Sequence, residues 1–158
     1  LIVEPQSGAI QIVEINPRMA AQITNLYRRV DGCDPYGMLL ALAIGDAPQL
    51  VRGAGEFKAA ASFVFRRFDG RAVSSVPADA QVEAMHRRYP DARLIFYLKK
   101  GAGLAREMKW LGSHRYAVLN LGGYDATDLH RRYDAIRREL ALDVGVGLAN
   151  TSCIASAN

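Results

Sequence analysis

Residues 57–66 place Phe57, Ala59, Ala61, Phe63 and Phe65 at every second position. Side chains of an extended chain alternate between two faces, so this run lines up a single apolar face when it is a β-strand. Asp69-Gly70 then fits a hairpin turn into a second strand over Arg71–Val76. Farther along, Leu129, Tyr133, Ile136 and Leu140 recur at helical spacing behind Asp125, a residue type suited to an N-cap. Strands with one apolar face and a helix with one apolar stripe predict an α+β fold built on antiparallel strands.

The remaining segments fill in that expectation. Ala92–Lys99 and Arg115–Leu121 read as strands, the latter ended by Gly122-Gly123, and Leu142–Leu148 as a last strand. A short helix capped by Asp79 carries Val82, Met85 and Tyr89, and Gly101–Gly103 reads as a turn. Upstream, the apolar runs Leu1–Glu4 and Ala9–Ile15 flank Pro5-Gln6-Ser7-Gly8 and predict a β-hairpin. Met19, Ile23, Leu26 and Val30 follow a helical period that Gly32 can close. Asp34-Pro35 opens a further helix. Met38, Leu39, Leu42 and Ile44 make it apolar on nearly every side, which predicts burial. Pro48, Gly53 and Gly55 mark Ala47–Gly55 as a connection. The chain therefore divides into residues 1–46, residues 56–148 and a small, polar tail at 149–158, expected to be loose.

Half of the residues are hydrophobic and 23% are charged, a composition ordinary for globular proteins. No apolar run approaches the ~18–20 residues that span a bilayer, so we expect no membrane partner. Cys33 and Cys153 lie far apart and follow no metal-binding spacing. Two free thiols suit a reducing, cytoplasmic setting. The net charge is +4, and basic residues occur in pairs such as Arg28-Arg29, Arg66-Arg67 and Arg131-Arg132. The pairs are scattered and no aromatic run accompanies them. A solvated surface explains most of them, and nucleic acid is not the expected partner. The sequence opens on Leu1-Ile2-Val3 rather than Met, which leads us to expect a piece of a longer protein.

Chemistry concentrates in Ile12-Val13-Glu14-Ile15-Asn16-Pro17-Arg18. On an extended chain Glu14, Asn16 and Arg18 share one face, with Val13 and Ile15 on the other. A carboxylate and an amide oxygen are hard ligands suited to Mg²⁺, and a guanidinium forks onto phosphate or carboxylate oxygens. Metal and arginine together can clamp a phosphoryl group in transfer. A solvated surface hairpin explains the same alternation equally well.

This strand resembles the Glu-x-Asn-x-Arg strand of the ATP-grasp superfamily. Met19-Ala20-Ala21-Gln22, the helix after it and the apolar helix opened by Asp34-Pro35 are similar as well. So are Ala59-Ala60-Ala61-Ser62-Phe63 and Gly70-Arg71-Ala72-Val73. The likeness is to the biotin-carboxylase-like and L-amino-acid-ligase-like branch, specific over residues 9–46 and weaker over 56–140. It implies that residues 1–46 complete the C-terminal part of an ATP-grasp domain, a hairpin plus two helices. A small antiparallel lobe with helices would follow. It implies Glu14 and Asn16 as ligands of Mg²⁺ on ATP, and Arg18 on phosphate or the acyl-phosphate. Of a second acidic ligand only Glu4 is a candidate, close to the turn. The implied reaction is ATP-dependent ligation of a small carboxylate to an amine through an acyl-phosphate. The implied alternative is a biotin carboxylase. The C-terminal lobe could shape the acceptor site or a homodimer contact. The fragment alone would be inactive, because the glycine-rich loop and nucleotide lysines have no counterpart in it. A reading from another class is a non-catalytic basic module that binds nucleic acid through the paired arginines.

Three other groupings carry no chemistry in this reading. His86, His114 and His130 lack zinc spacing. Ser113-His114 is adjacent in sequence, whereas a catalytic pair is defined in space. The glycine pairs at 53 and 55, 101 and 103, and 145 and 147 are too short for a nucleotide fingerprint.

Overall fold

A computed structural model describes residues 1–15, 18–70, 76–98, 103, 106, 109, 112–142 and the backbone of 153–156. The predicted turn at 101–103, the strand over 71–75 and most of the strand at 142–148 lie outside these residues.

The alternating run forms strand β3, Ala59–Arg67, and Phe57, Ala59, Ala61, Phe63 and Phe65 are all buried. Elements are numbered in chain order. They are β1 (Ile2–Val3), β2 (Ile10–Gln11), α1 (Thr24–Asp31), α2 (Pro35–Ala43), β3, α3 (Asp79–Arg88), β4 (Arg93–Phe96), β5 (His114–Gly123), α4 (Ala126–Glu139) and β6 (Cys153–Ser156). The main sheet has the order β4-β5-β3-β6, with every neighbour antiparallel. The α+β expectation holds.

Helices cover both faces of this sheet. On one side Leu129, Tyr133, Ile136 and Leu140 of the α4 stripe meet Ala61, Phe63, Phe65, Leu119 and Leu121. Phe63 and Tyr133 stack with centroids 4.0 Å apart. On the other side Leu26 and Val30 of α1 close over Ala60. A register shift at Phe65/Arg66 marks a bulge. It lets Tyr116 join the α4-side core beside Ala117, where its hydroxyl donates to the Leu142 carbonyl.

Local signals explain the ends. Asp125 caps α4 by accepting from the Asp128 N–H at 2.7 Å, and the Asp128 carboxylate accepts from Tyr124 N–H at 3.1 Å. Gly32 closes α1 in the left-handed region at φ 72°, donating to the Arg28 carbonyl. Asp34 caps α2 through Tyr36 N–H, with Pro35 in the first turn.

Five expectations change. The helix expected to be capped by Asp79 takes Ala78 as its N-cap, and Asp79 is already its first residue. The first helix begins at Thr24, not near Met19, with no side-chain cap at Ile23. The fifth strand runs two residues beyond Leu121 and ends at Gly123, so both glycines are strand residues as well as its end. A Cβ at Gly122 would sit 2.4 Å from the Phe57 ring, and one at Gly123 would sit 2.6 Å from Leu129. They are bare because a ring and a helix press on the strand there, not because the chain turns. The segment expected to be a loose tail supplies β6, paired to β3 from Ala59↔Ser156 to Ser62↔Cys153. Helix α2, expected to be buried, has no buried residue, and Leu39, Leu40, Leu42 and Ile44 are exposed. Its apolar circumference reads as burial by periodicity, yet among the described residues it packs only along α1.

Candidate functional site

The predicted hairpin exists but is short. β1 and β2 pair as Ile2↔Gln11 and Val3↔Ile10, and residues 12–15 are not in a strand. The Glu4 carboxylate accepts a hydrogen bond from Ser7 Oγ at 2.9 Å, so this acid braces the turn. Glu14 is exposed. An extended strand would put Val13 and Ile15 on the face opposite Glu14, available to back onto a core. They are 67% and 76% exposed, because no described element packs behind the segment. Asn16 lies outside the described residues. Arg18 is exposed and contributes to a groove of about 440 Å³ with Ile23, Tyr27, Met38, Leu39 and Leu42. Thus the guanidinium belongs to the end of a groove between α1 and α2, and the carboxylate of Glu14 stands in solvent upstream of it. Among the described residues no group of three or more His, Cys, Asp and Glu converges on a metal position. Magnesium held by nucleotide phosphates needs only one or two protein carboxylates, so such a group is not required by the resemblance.

A second cluster was not anticipated. Arg132 of α4 donates to the Gly122 carbonyl and to Asp91 Oδ1. Asp91 Oδ2 accepts from Gly122 N–H at 3.1 Å and lies 3.8 Å from Arg29. Arg132 also covers the Phe57 and Tyr89 rings, at 5.1 and 5.4 Å from their centroids. Arg29 is held in place by its own backbone. Its carbonyl accepts from Phe57 N–H, and a Cβ at Gly55 would come within 2.0 Å of that carbonyl oxygen. Only glycine lets the 53–57 loop close over the end of α1. Burial lowers the Arg29 pKa from its ordinary value, with Asp91 working in the opposite sense. Arg29 Nε is buried and has no hydrogen-bond partner. Beside this cluster lies a pocket of about 480 Å³ lined by Asn25, Arg28, Arg29, Glu56, Phe57, Pro90 and Asp91.

The signal for this cluster was present in the doublets. Position 132 falls three residues after Leu129 and four before Ile136, on the buried stripe of α4. Arg29 is adjacent to buried Val30. One member of a doublet turns inward in three cases: Arg29, Arg67 and Arg132 are half-buried or buried, whereas Arg28, Arg66 and Arg131 are exposed. Several outward members are also engaged. Arg66 donates to Ser113 Oγ at 3.0 Å, and Arg88 and Arg131 pair with Glu139 and Asp128. Among the described residues the members of these doublets are therefore divided between buried positions and surface contacts. Ser113 is occupied by Arg66, and His130 Nδ1 lies 2.7 Å from the Ala126 carbonyl within its own helix.

The sequence matches no family model, and no match was found among curated proteins or among solved structures.

Proposed function

We propose that this chain is the C-terminal portion of an ATP-dependent carboxylate–amine ligase that works through an acyl-phosphate. The observation that carries the reading is the segment Glu14-Ile15-Asn16-Pro17-Arg18 with its following Met-Ala-Ala-Gln helix entry. Two further facts support it. Glu14 is solvent-accessible, as an ion ligand must be before nucleotide arrives. The hairpin and α2 expose Ile2, Ile12, Ile15, Leu40 and Ile44, an apolar surface of the kind that partner domains cover.

In this proposal Glu14 and Asn16 hold Mg²⁺ on the ATP phosphates, and Arg18 binds the transferred phosphate or the acyl-phosphate. The metal supplies charge neutralisation, and the arginine adds a bidentate donor to the same oxygens. The chain alone lacks a glycine-rich phosphate loop, so it should not bind Mg-ATP at micromolar concentration in calorimetry.

The experiment is phosphate release by the intact ligase with Mg-ATP. Release that needs a small carboxylate, such as an amino acid, together with an amine supports the proposal. Release that needs bicarbonate and biotin instead supports a biotin-carboxylase-type reaction and overturns the amine-ligase reading.

A further inference from the structure

The pocket beside Asp91 shares no residue with the groove at Arg18 or with the Glu14–Arg18 segment. Its electrostatics are unbalanced. Arg28, Arg29, Asp91 and Glu56 line the pocket, Arg132 lies beneath it on Asp91, and Arg93 adds a further positive charge near Arg29. Both oxygens of Asp91 are already bound, one by Arg132 and one by Gly122 N–H. Arg29 therefore has only a long contact to an acid already engaged by Arg132, and a buried Nε with no acceptor. A partly buried cation without full compensation attracts an anion into any space next to it. That space exists, and its walls suit a small organic molecule. Asn25 Oδ1 accepts from Asn120 Nδ2 at 2.8 Å, which leaves the Asn25 NH₂ as the end free to donate. Phe57 and Pro90 give the pocket an apolar side.

We propose that this pocket binds a small monocarboxylate, its carboxylate between Arg28, Arg29 and the Asn25 amide and its short apolar body against Phe57 and Pro90. The apolar wall of Phe57 and Pro90 suits the body of an organic carboxylate and offers nothing to a phosphate dianion. The site is independent of the ligase reading, and either can fail without the other.

The test is titration of the 158-residue chain with butyrate, acetate and inorganic phosphate, followed by amide and arginine Nε–H NMR signals. Butyrate is expected to shift the Asn25 side-chain amide and the Arg29 Nε–H with millimolar affinity, more tightly than acetate. Arg28→Gln, at an exposed position, should weaken butyrate about three- to tenfold by removing a charge-assisted donor. Glu56→Gln should strengthen it by roughly two- to fivefold by removing the competing anion. Tighter binding of phosphate than of butyrate would overturn the carboxylate assignment. No shift at Asn25 or Arg29 up to 100 mM butyrate, roughly tenfold beyond a weak millimolar site, would overturn the site itself. Weaker binding in Glu56→Gln would do the same.

Discussion

Residues 1–51 and residues 57–142 are about equally rich in apolar side chains but use them in opposite ways. In the second region Phe57, Phe63, Leu119, Leu121, Leu129 and Ile136 are at most a few per cent exposed. In the first, among the described residues, only Leu26 and Val30 of α1 reach a core, while Leu1, Ile2, Ile12, Val13, Leu40 and Ile44 are each more than half exposed. The difference is one of partners, not composition. β3 and β5 have a helix on each face, whereas the hairpin and α2 have solvent. Large exposed apolar patches usually mark an interaction surface, and in the proposal above that surface meets the rest of a ligase.

The contrast can be broken by substitution. Phe63→Ala, which removes a ring stacked on Tyr133, should cost about 3–5 kcal/mol in urea unfolding. Asp91→Ala would leave Arg132 and Arg29 without their shared acid, and is expected to cost about 2–4 kcal/mol, part of the loss being relieved by solvent at the pocket. Asp125→Ala removes the α4 cap and should cost about 1 kcal/mol. Leu40→Ser, on the exposed side of α2, should change stability by no more than about 0.5 kcal/mol. A loss as large as that of Phe63→Ala would mean that α2 is packed in solution and that the contrast is false.

The smallest expected effect concerns acid. The Asp128 carboxyl is held below its ordinary value of 3.8: burial works against ionisation, but the Tyr124 N–H and the Arg131 guanidinium outweigh it. A carboxyl depressed in the folded state stabilises above the unfolded pKa, and this contribution is lost as pH falls through the folded value. Asp128→Asn should therefore lower the urea midpoint at neutral pH slightly and flatten its decline below the ordinary carboxylate range.

Much of the second region was legible because its patterns answer to local rules. The β3 alternation, the α4 stripe and the Asp125 cap each specify their own element. What was not legible depended on meetings between distant residues. Gly122-Gly123 does stand at the end of its strand, but only the approach of Phe57 and Leu129 shows why both residues there must be bare. Arg29 and Arg132 look like surface charge until Asp91 joins them from a loop. In the first region the pattern of α2 was read correctly as apolar on every side, but a helix period cannot say whether the covering surface is in the same chain. The site segment was found by its residue order, and the alternation used to orient it applies to an extended strand that continues only as far as Gln11.

The most direct measurement is single-turnover phosphate release by the full-length ligase proposed above carrying Glu14→Gln, with thermal unfolding followed on the same sample. Because Glu14 is exposed, the melting temperature should stay within about 1 °C of the parent. The rate should fall by roughly 100-fold or more, as expected when a ligand to transition-state charge is lost. Equal rates in parent and variant, with folding unchanged, would contradict the assignment of this carboxylate to the magnesium-bound phosphates.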